Sequence, residues 1–212
     1  MKRYFWIALC LLAAFALWTV AVVTVDVAAI GPAGSCVGLA GLNGFVHRLT
    51  GVHMSLYTLT DWLGLIPLGF AAGFGLLGLG QWIRRGALGK VDPSLLLLGG
   101  FYLVVMAVYA LFEVVTVNAR PVLIDGRLET SYPSSTTMLV LCVMPTAAMQ
   151  LRARLRRTAG RRGAVLAIGA FTAFMVVGRL ISGVHWFSDI VGGGLLRAGL
   201  VMLYCGAVRR AG

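Results

Sequence analysis

Apolar stretches long enough to cross a bilayer recur along this chain and leave it few folds to choose from. They run over Tyr4–Val25, Trp62–Ile83, Leu95–Val117, Gly163–Ile181 and Ile190–Val208, with a shorter sixth, Thr136–Leu151, that contains Pro145. A helix needs about 20 such residues to span the hydrocarbon core, where every backbone polar group must find its partner inside the chain. The sequence is 59% hydrophobic and 12% charged, with mean hydropathy +0.92, well outside the range of soluble domains. The expected fold is all-α: a polytopic membrane protein built as a six-transmembrane-helix bundle. No linker separates two compositions, so residues 1–212 read as a single domain.

The formal charge is +11, which in a soluble protein would suggest nucleic acid as a partner. Here the position of the charges points to topology instead. Lys2, Arg3, Arg84, Arg85, Lys90, Arg152, Arg154, Arg156, Arg157, Arg161, Arg162, Arg209 and Arg210 all fall at alternate connections or termini. The positive-inside tendency then puts both termini in the cytoplasm and the segments around His47, Arg120 and His185 on the external, periplasmic face. Short loops suit a prokaryotic inner membrane. The partners expected are the bilayer and a lipid, with no nucleic acid. The first apolar run exceeds the core of a cleavable signal and reads as an uncleaved anchor.

The largest external segment, Gly31–Asp61, is expected to hold a short amphipathic piece at the interface. Gly69, Gly73, Gly75, Gly78 and Gly80 give the second span a small-xxx-small spacing, the pattern of close helix packing in lipid. Pro145 needs no mechanistic role, since proline is tolerated in membrane helices. Cys10, Cys36, Cys142 and Cys205 are scattered, and no paired framework or metal spacing is visible.

Ionisable groups in or beside spans are costly and are functional candidates by default. Those not explained by cytoplasmic anchoring include His47, Arg48, His53, Glu113, Arg120, Arg127, Arg179, His185, Asp189 and Arg197. Three clusters share the external ends of spans: Arg120-Pro121, Ser131–Thr136, and Arg179 through Asp189. Gly178–Gly194 reads GRLISGVHWFSDIVGGG. If this is helix, His185 and Asp189 lie one turn apart on one face. The carboxylate would then hold the imidazole Nδ1–H and leave Nε2 free to attack, the alternative being an interfacial ion pair.

These residues resemble the type 2 phosphatidic acid phosphatase superfamily. Arg179, His185 and Asp189 match its third signature in residue type and spacing. Arg120 and Pro121 match the end of its first signature, whose lysine position holds Glu113. Pro133 and Ser134 match half of the second, where Ser135 stands for a glycine and Thr136 for a histidine. The signature region covers about residues 113–194, and the order of the three signatures agrees.

The resemblance implies a metal-independent lipid phosphatase or diphosphatase working without a cofactor. His185 would attack phosphorus to give a phosphohistidine, with Asp189 orienting it. Arg120, Arg179 and the peptide N–H groups near Ser134 and Ser135 would hold the phosphoryl oxygens. Two guanidiniums and a helix N-terminus suit that charge without a metal, and no carboxylate cluster suggests a metal site. The missing histidine is the family's general acid, and Thr136 cannot replace it near neutral pH. Alcohol leaving groups should then suffer more than the phosphate-type leaving group of a polyprenyl diphosphate; phosphatidic acid and phosphatidylglycerophosphate are the other substrates in view. His47 or His53 could supply the acid. Glu113 is expected to pair with Arg120, Arg127 or Arg197, and Arg197 could replace the absent lysine's charge. The alternative is an impaired relative that binds, transports or regulates lipid phosphates.

Overall fold

Apolar sequence makes the helices, and short polar signals set their ends. The computed structural model describes residues 2–211 and contains, among them, eight α-helices: α1 (Lys2–Thr24), α2 (Ala40–Thr50), α3 (Met54–Leu63), α4 (Leu65–Arg85), α5 (Pro93–Val114), α6 (Ser135–Arg154), α7 (Thr158–Ile181) and α8 (Phe187–Ala211). At the start of α5 the Asp92 side chain accepts from Ser94 N at 2.9 Å with Pro93 in the first turn, the preferred chemistry for a helix start. Gly86 ends α4 at φ 71°, the left-handed stop that glycine adopts freely.

Six long apolar helices cross the membrane, with α3 and α4 together supplying one crossing over Met54–Arg85. The chain is an integral membrane protein. That second span starts eight residues earlier than the apolar run suggests. It does so because α3 continues into α4 at Gly64, where a side chain would press on Thr136 Cγ2 at 3.2 Å. The amphipathic segment is α2, lying between α1 and α3.

The least apolar crossing helix, α6, lies at the centre with α8: 56% and 50% of their most apolar windows are buried, against 22% or less in the other four. Lipid offers no hydrogen bonds, so the helices carrying polar groups take the interior. Thr146 Oγ1 meets Tyr102 OH at 3.1 Å, and Gln150 Nε2 donates to Tyr204 OH at 2.8 Å. At the same end Arg154 pairs with Asp92 at 2.7 Å. Leu76, Leu103 and Leu166 on the outer helices are about seven-tenths exposed and face lipid.

Close packing through glycine occurs on α8, not on α4. A β-carbon at Gly199 would stand 2.8 Å from Leu12 Cγ of α1, and one at Gly192 would overlap the Tyr132 ring. Gly69, Gly73, Gly75, Gly78 and Gly80 have nothing within 4 Å of that position, contrary to the packing role expected from their spacing. The pattern fixes which side of α4 is smooth but not whether another helix lies against it.

Adding one methyl therefore separates the two sets. In detergent, Gly192→Ala is expected to lower the thermal midpoint by the equivalent of about 1–3 kcal/mol of overpacking, whereas Gly73→Ala leaves it unchanged or raises it.

Candidate functional site

Polar side chains converge at the end of the bundle opposite Arg154, and the loop between α5 and α6 organises them. Asp125 and Gly126 take positive φ, 48° and 73°. This two-residue turn brings Ile124 against Arg127 and sets Arg120 N on Glu129 O at 2.9 Å. The Asp-Gly pair is a hairpin signal carried by two adjacent residues of the sequence. Trp186 Nε1 ties the hairpin to the start of α8 by donating to Ala119 O at 2.8 Å.

His185 is not on a helix. Gly183, at φ 70°, turns the chain after α7, with its α-carbon packed against the backbone of Gly51 and Val52. His185 follows in the corner, and α8 begins at Phe187. Asp189, in the first turn of α8, accepts from Trp186 N at 2.9 Å, the acidic half of a capping box. Because the corner is not helical, its carboxylate stays 4.0 Å from His185 Nδ1, too far for a hydrogen bond.

Ser131 fills that gap. Its hydroxyl donates to Asp189 Oδ2, and its Oγ and carbonyl O each lie 3.1 Å from His185 Nδ1. The carbonyl can only accept, so Nδ1 carries the proton and Nε2 keeps its lone pair. Asn118 Nδ2 gives Asp189 a third donor at 3.2 Å. Asn43 of α2 braces the other side, bonding Ser188 N at 3.0 Å and Ser188 Oγ at 2.9 Å. Asn43, Asn118 and Ser131 thus hold the attacking unit, and their roles depend on contacts far apart in sequence.

Three guanidiniums surround His185. Arg179, 1% exposed, reaches Thr136 Oγ1 and pairs with Asp61 at 3.2 Å. Arg120 pairs with Glu129 at 3.1 Å. The ring of Tyr57 lies under both, 4.9 Å from Arg179 Cζ and 5.8 Å from Arg120 Cζ. Arg197, fully buried, donates to the carbonyl of Ser134. It holds the entrance of α6, where the first-turn amides of Ser135, Thr136 and Thr137 have no carbonyl behind them to bond and Ser134 offers no side-chain cap.

Nitrogens of all three arginines are buried without partners, as is His185 Nε2. Buried, unsatisfied donors are expensive, and guanidiniums left so around the Nε2 lone pair of His185 describe a place for an anion, with Arg120 the one of the three that reaches the cavity. That cavity, of about 460 Å³, is lined by His185, Arg120, Ser131 and Ser135 on its polar side and by Phe112 and Met138 on its apolar side. Burial, then the nearby Arg120 and Arg179 charges, push the His185 imidazole well below its usual pKa, so it is neutral and nucleophilic in form. Among the described residues, no three His, Cys, Asp or Glu side chains are grouped to hold a metal ion.

Other candidates lie elsewhere. His53 is exposed and bonds Thr50 O at 2.9 Å. His47 packs on Trp186 with its Nε2 at 3.1 Å from Gly183 O. Neither lines the cavity. Glu113 does line it, yet forms no ion pair with Arg120, Arg127 or Arg197. The carboxylates on the arginines are Glu129 and Asp61, neither foreseen from sequence. The hairpin turn would have located Glu129, and Asp61 had no local signal.

A family model described as the PAP2 superfamily matches residues 89–210. A comparison with curated protein sequences returns no match. Among solved structures, the chain superposes on the first transmembrane PAP2 type phosphatidylglycerolphosphate phosphatase from Bacillus subtilis with TM-score 0.57, at 19% identity, over 97% of each chain. At that identity the agreement is one of fold.

A histidine kept neutral by burial contributes stability above its unfolded pKa and loses it as pH falls. The native state resists the proton that the unfolded state takes up. The thermal midpoint should therefore drop as pH falls through and below about 6.5. His185→Gln, which cannot be protonated, should show a smaller drop over the same range.

Proposed function

Because the chain belongs to the PAP2 superfamily, we propose that it is a lipid phosphatase that uses His185 as a metal-independent nucleophile and passes through a phosphohistidine. The observation that carries this reading is the unpartnered Nε2 of His185, facing the same cavity as an unpartnered Arg120 nitrogen. Ser131 and Asp189 keep the tautomer that frees Nε2, and stabilise positive charge on the ring as the N–P bond forms. Arg120, Arg179 and the amides of Ser135 and Thr136 take up charge on the three equatorial oxygens, where phosphoryl transfer gains most from fixed positive groups. Arg197 is a positioning residue: it anchors the Ser134 carbonyl so that those amides point outward.

The substrate is read as a phosphate monoester of a membrane lipid, such as phosphatidic acid or phosphatidylglycerophosphate. The loss of a histidine at Thr136 favoured a diphosphate. However, Arg120 is the one arginine or lysine among the residues that line the cavity, which leaves no cation to hold a second phosphate. The phosphate enters the polar side while the tail stays in lipid past Phe112 and Met138. The basic residues at the far end favour a cytoplasmic position for both termini. The site then faces away from the cytoplasm.

Phosphate release in detergent tests this reading. Phosphatidic acid or phosphatidylglycerophosphate should be hydrolysed faster than a polyprenyl diphosphate at equal surface concentration. His185→Ala should abolish release, by at least about a thousandfold. Ser131→Ala should lower kcat by about ten- to a hundredfold through the lost tautomer control. No release from any of the lipids, with the same lipids still bound, would favour a binding or regulatory relative instead.

A further inference from the structure

The alcohol of an alkyl phosphate leaves as an alkoxide unless something protonates it, and none of the groups proposed to hold phosphate here can do so. Arginines stay charged, and Thr136 Oγ1 is already an acceptor for Arg179. Three carboxyl groups stand near His185. Asp189 lies behind it, fully buried and bonded to Ser131, Asn118 and the Trp186 amide. Glu129 is held by Arg120 at 3.1 Å. Glu113, on the last turn of α5, lines the cavity beside Tyr109 and Phe112 and has no ion-pair partner. It shares the cavity with the unpartnered His185 Nε2, and its neighbour in the chain, Phe112, lines the same cavity.

We propose that Glu113 is the general acid and base of this site, and that the residue departing most from the signature supplies the proton that Thr136 cannot. The proposal rests on the phosphohistidine reading above. The role requires Glu113 in its carboxyl form when the ester binds, and the proton it gives up returns from water in the second step. In the first step the Nε2 lone pair forms the N–P bond and the P–O bond to the lipid alcohol breaks. The leaving oxygen takes that electron pair and the Glu113 proton, so a neutral alcohol departs and a carboxylate remains. In the second step that carboxylate takes a proton from water as the water oxygen bonds phosphorus. The N–P bond then returns its electron pair to Nε2, and inorganic phosphate is released. This assigns the chain to alkyl phosphate monoesters, for which a proton donor matters most.

Two substrates separate the acid role from binding. The full-length protein in detergent is assayed on a short-chain diacylglycerol phosphate and on 4-nitrophenyl phosphate, whose leaving group departs without help. In Glu113→Gln, turnover of the alkyl ester should fall by at least about a hundredfold, the usual share of a positioned proton donor. The aryl ester should still give a burst of about one nitrophenol per chain, with phosphate trapped on His185, because only the water step then lacks its base. Glu113→Asp, which keeps a carboxyl, should retain more alkyl turnover than the glutamine variant.

The proposal is overturned if Glu113→Gln hydrolyses the alkyl ester within about threefold of the parent protein. It is equally overturned if both variants lose both substrates alike with no burst, or if Glu129→Gln gives the selective pattern instead. A burst that survives in His185→Ala overturns the phosphohistidine reading, and this proposal with it.

Discussion

Everything at the polar end of the bundle depends on the hydrogen bonds that reach Asp189. A carboxylate with no exposed surface is tolerated only when donors replace the water it has lost. Here the donors come from the α5–α6 loop through Ser131 and Asn118, and from the α7–α8 corner through the Trp186 amide. Meeting that one requirement fixes the relative position of two segments about sixty residues apart. It also places Ser131 against His185 Nδ1, so structural satisfaction and tautomer control are the same set of contacts. Ser188, beside Asp189, extends the set to α2 through Asn43 and to α1, whose Trp18 Nε1 donates to Ser188 O at 3.0 Å.

The second constraint is an imbalance of charge. Arg120, Arg179 and Arg197 are buried, and the carboxylates that meet the first two, Glu129 and Asp61, are about half exposed. A half-exposed carboxylate is screened by solvent and binds its partner weakly. It can leave an arginine to a better anion at little cost. The fully buried carboxylate, by contrast, is committed to Ser131 and Asn118. Two of the three buried positive charges therefore meet replaceable partners, as suits the phosphate exchange proposed for this cavity.

Much of this was legible in the sequence, for physical reasons that also mark where legibility stops. Six crossings follow from segment length and hydropathy because the bilayer sets a minimum length. The convergence of Arg120, Ser134, Arg179 and His185 follows from topology, since all fall at the same ends of alternating spans. The 4.0 Å gap between His185 and Asp189 was not legible: it arises where Gly183 breaks the helix, and a spacing of four assumes the helix continues. The α4 glycines misled for a related reason, because a spacing describes one helix surface and says nothing of what faces it. Glu113 was expected to find an arginine. The hairpin at Asp125-Gly126 gave Arg120 to Glu129 instead, and Arg197 went to the Ser134 carbonyl.

The central position of α6 connects the fold to the chemistry. A helix with Thr136, Thr137, Thr146 and Gln150 would be poorly soluble in lipid, so its polarity drives it inside, where its start comes to rest beneath the cavity. Its first-turn amides need partners that neither lipid nor a side-chain cap supplies, and the cavity is where a phosphate can supply them. The sequence property that makes α6 the weakest transmembrane candidate is thus the one that gives the site its helix N-terminus. The apolar α5 contributes Phe112 and Glu113 to the same cavity. One cavity consequently joins a wall fixed by buried hydrogen bonds to a wall supplied by an apolar helix, the two surfaces that the proposed reaction assigns to the phosphate and to the departing alcohol.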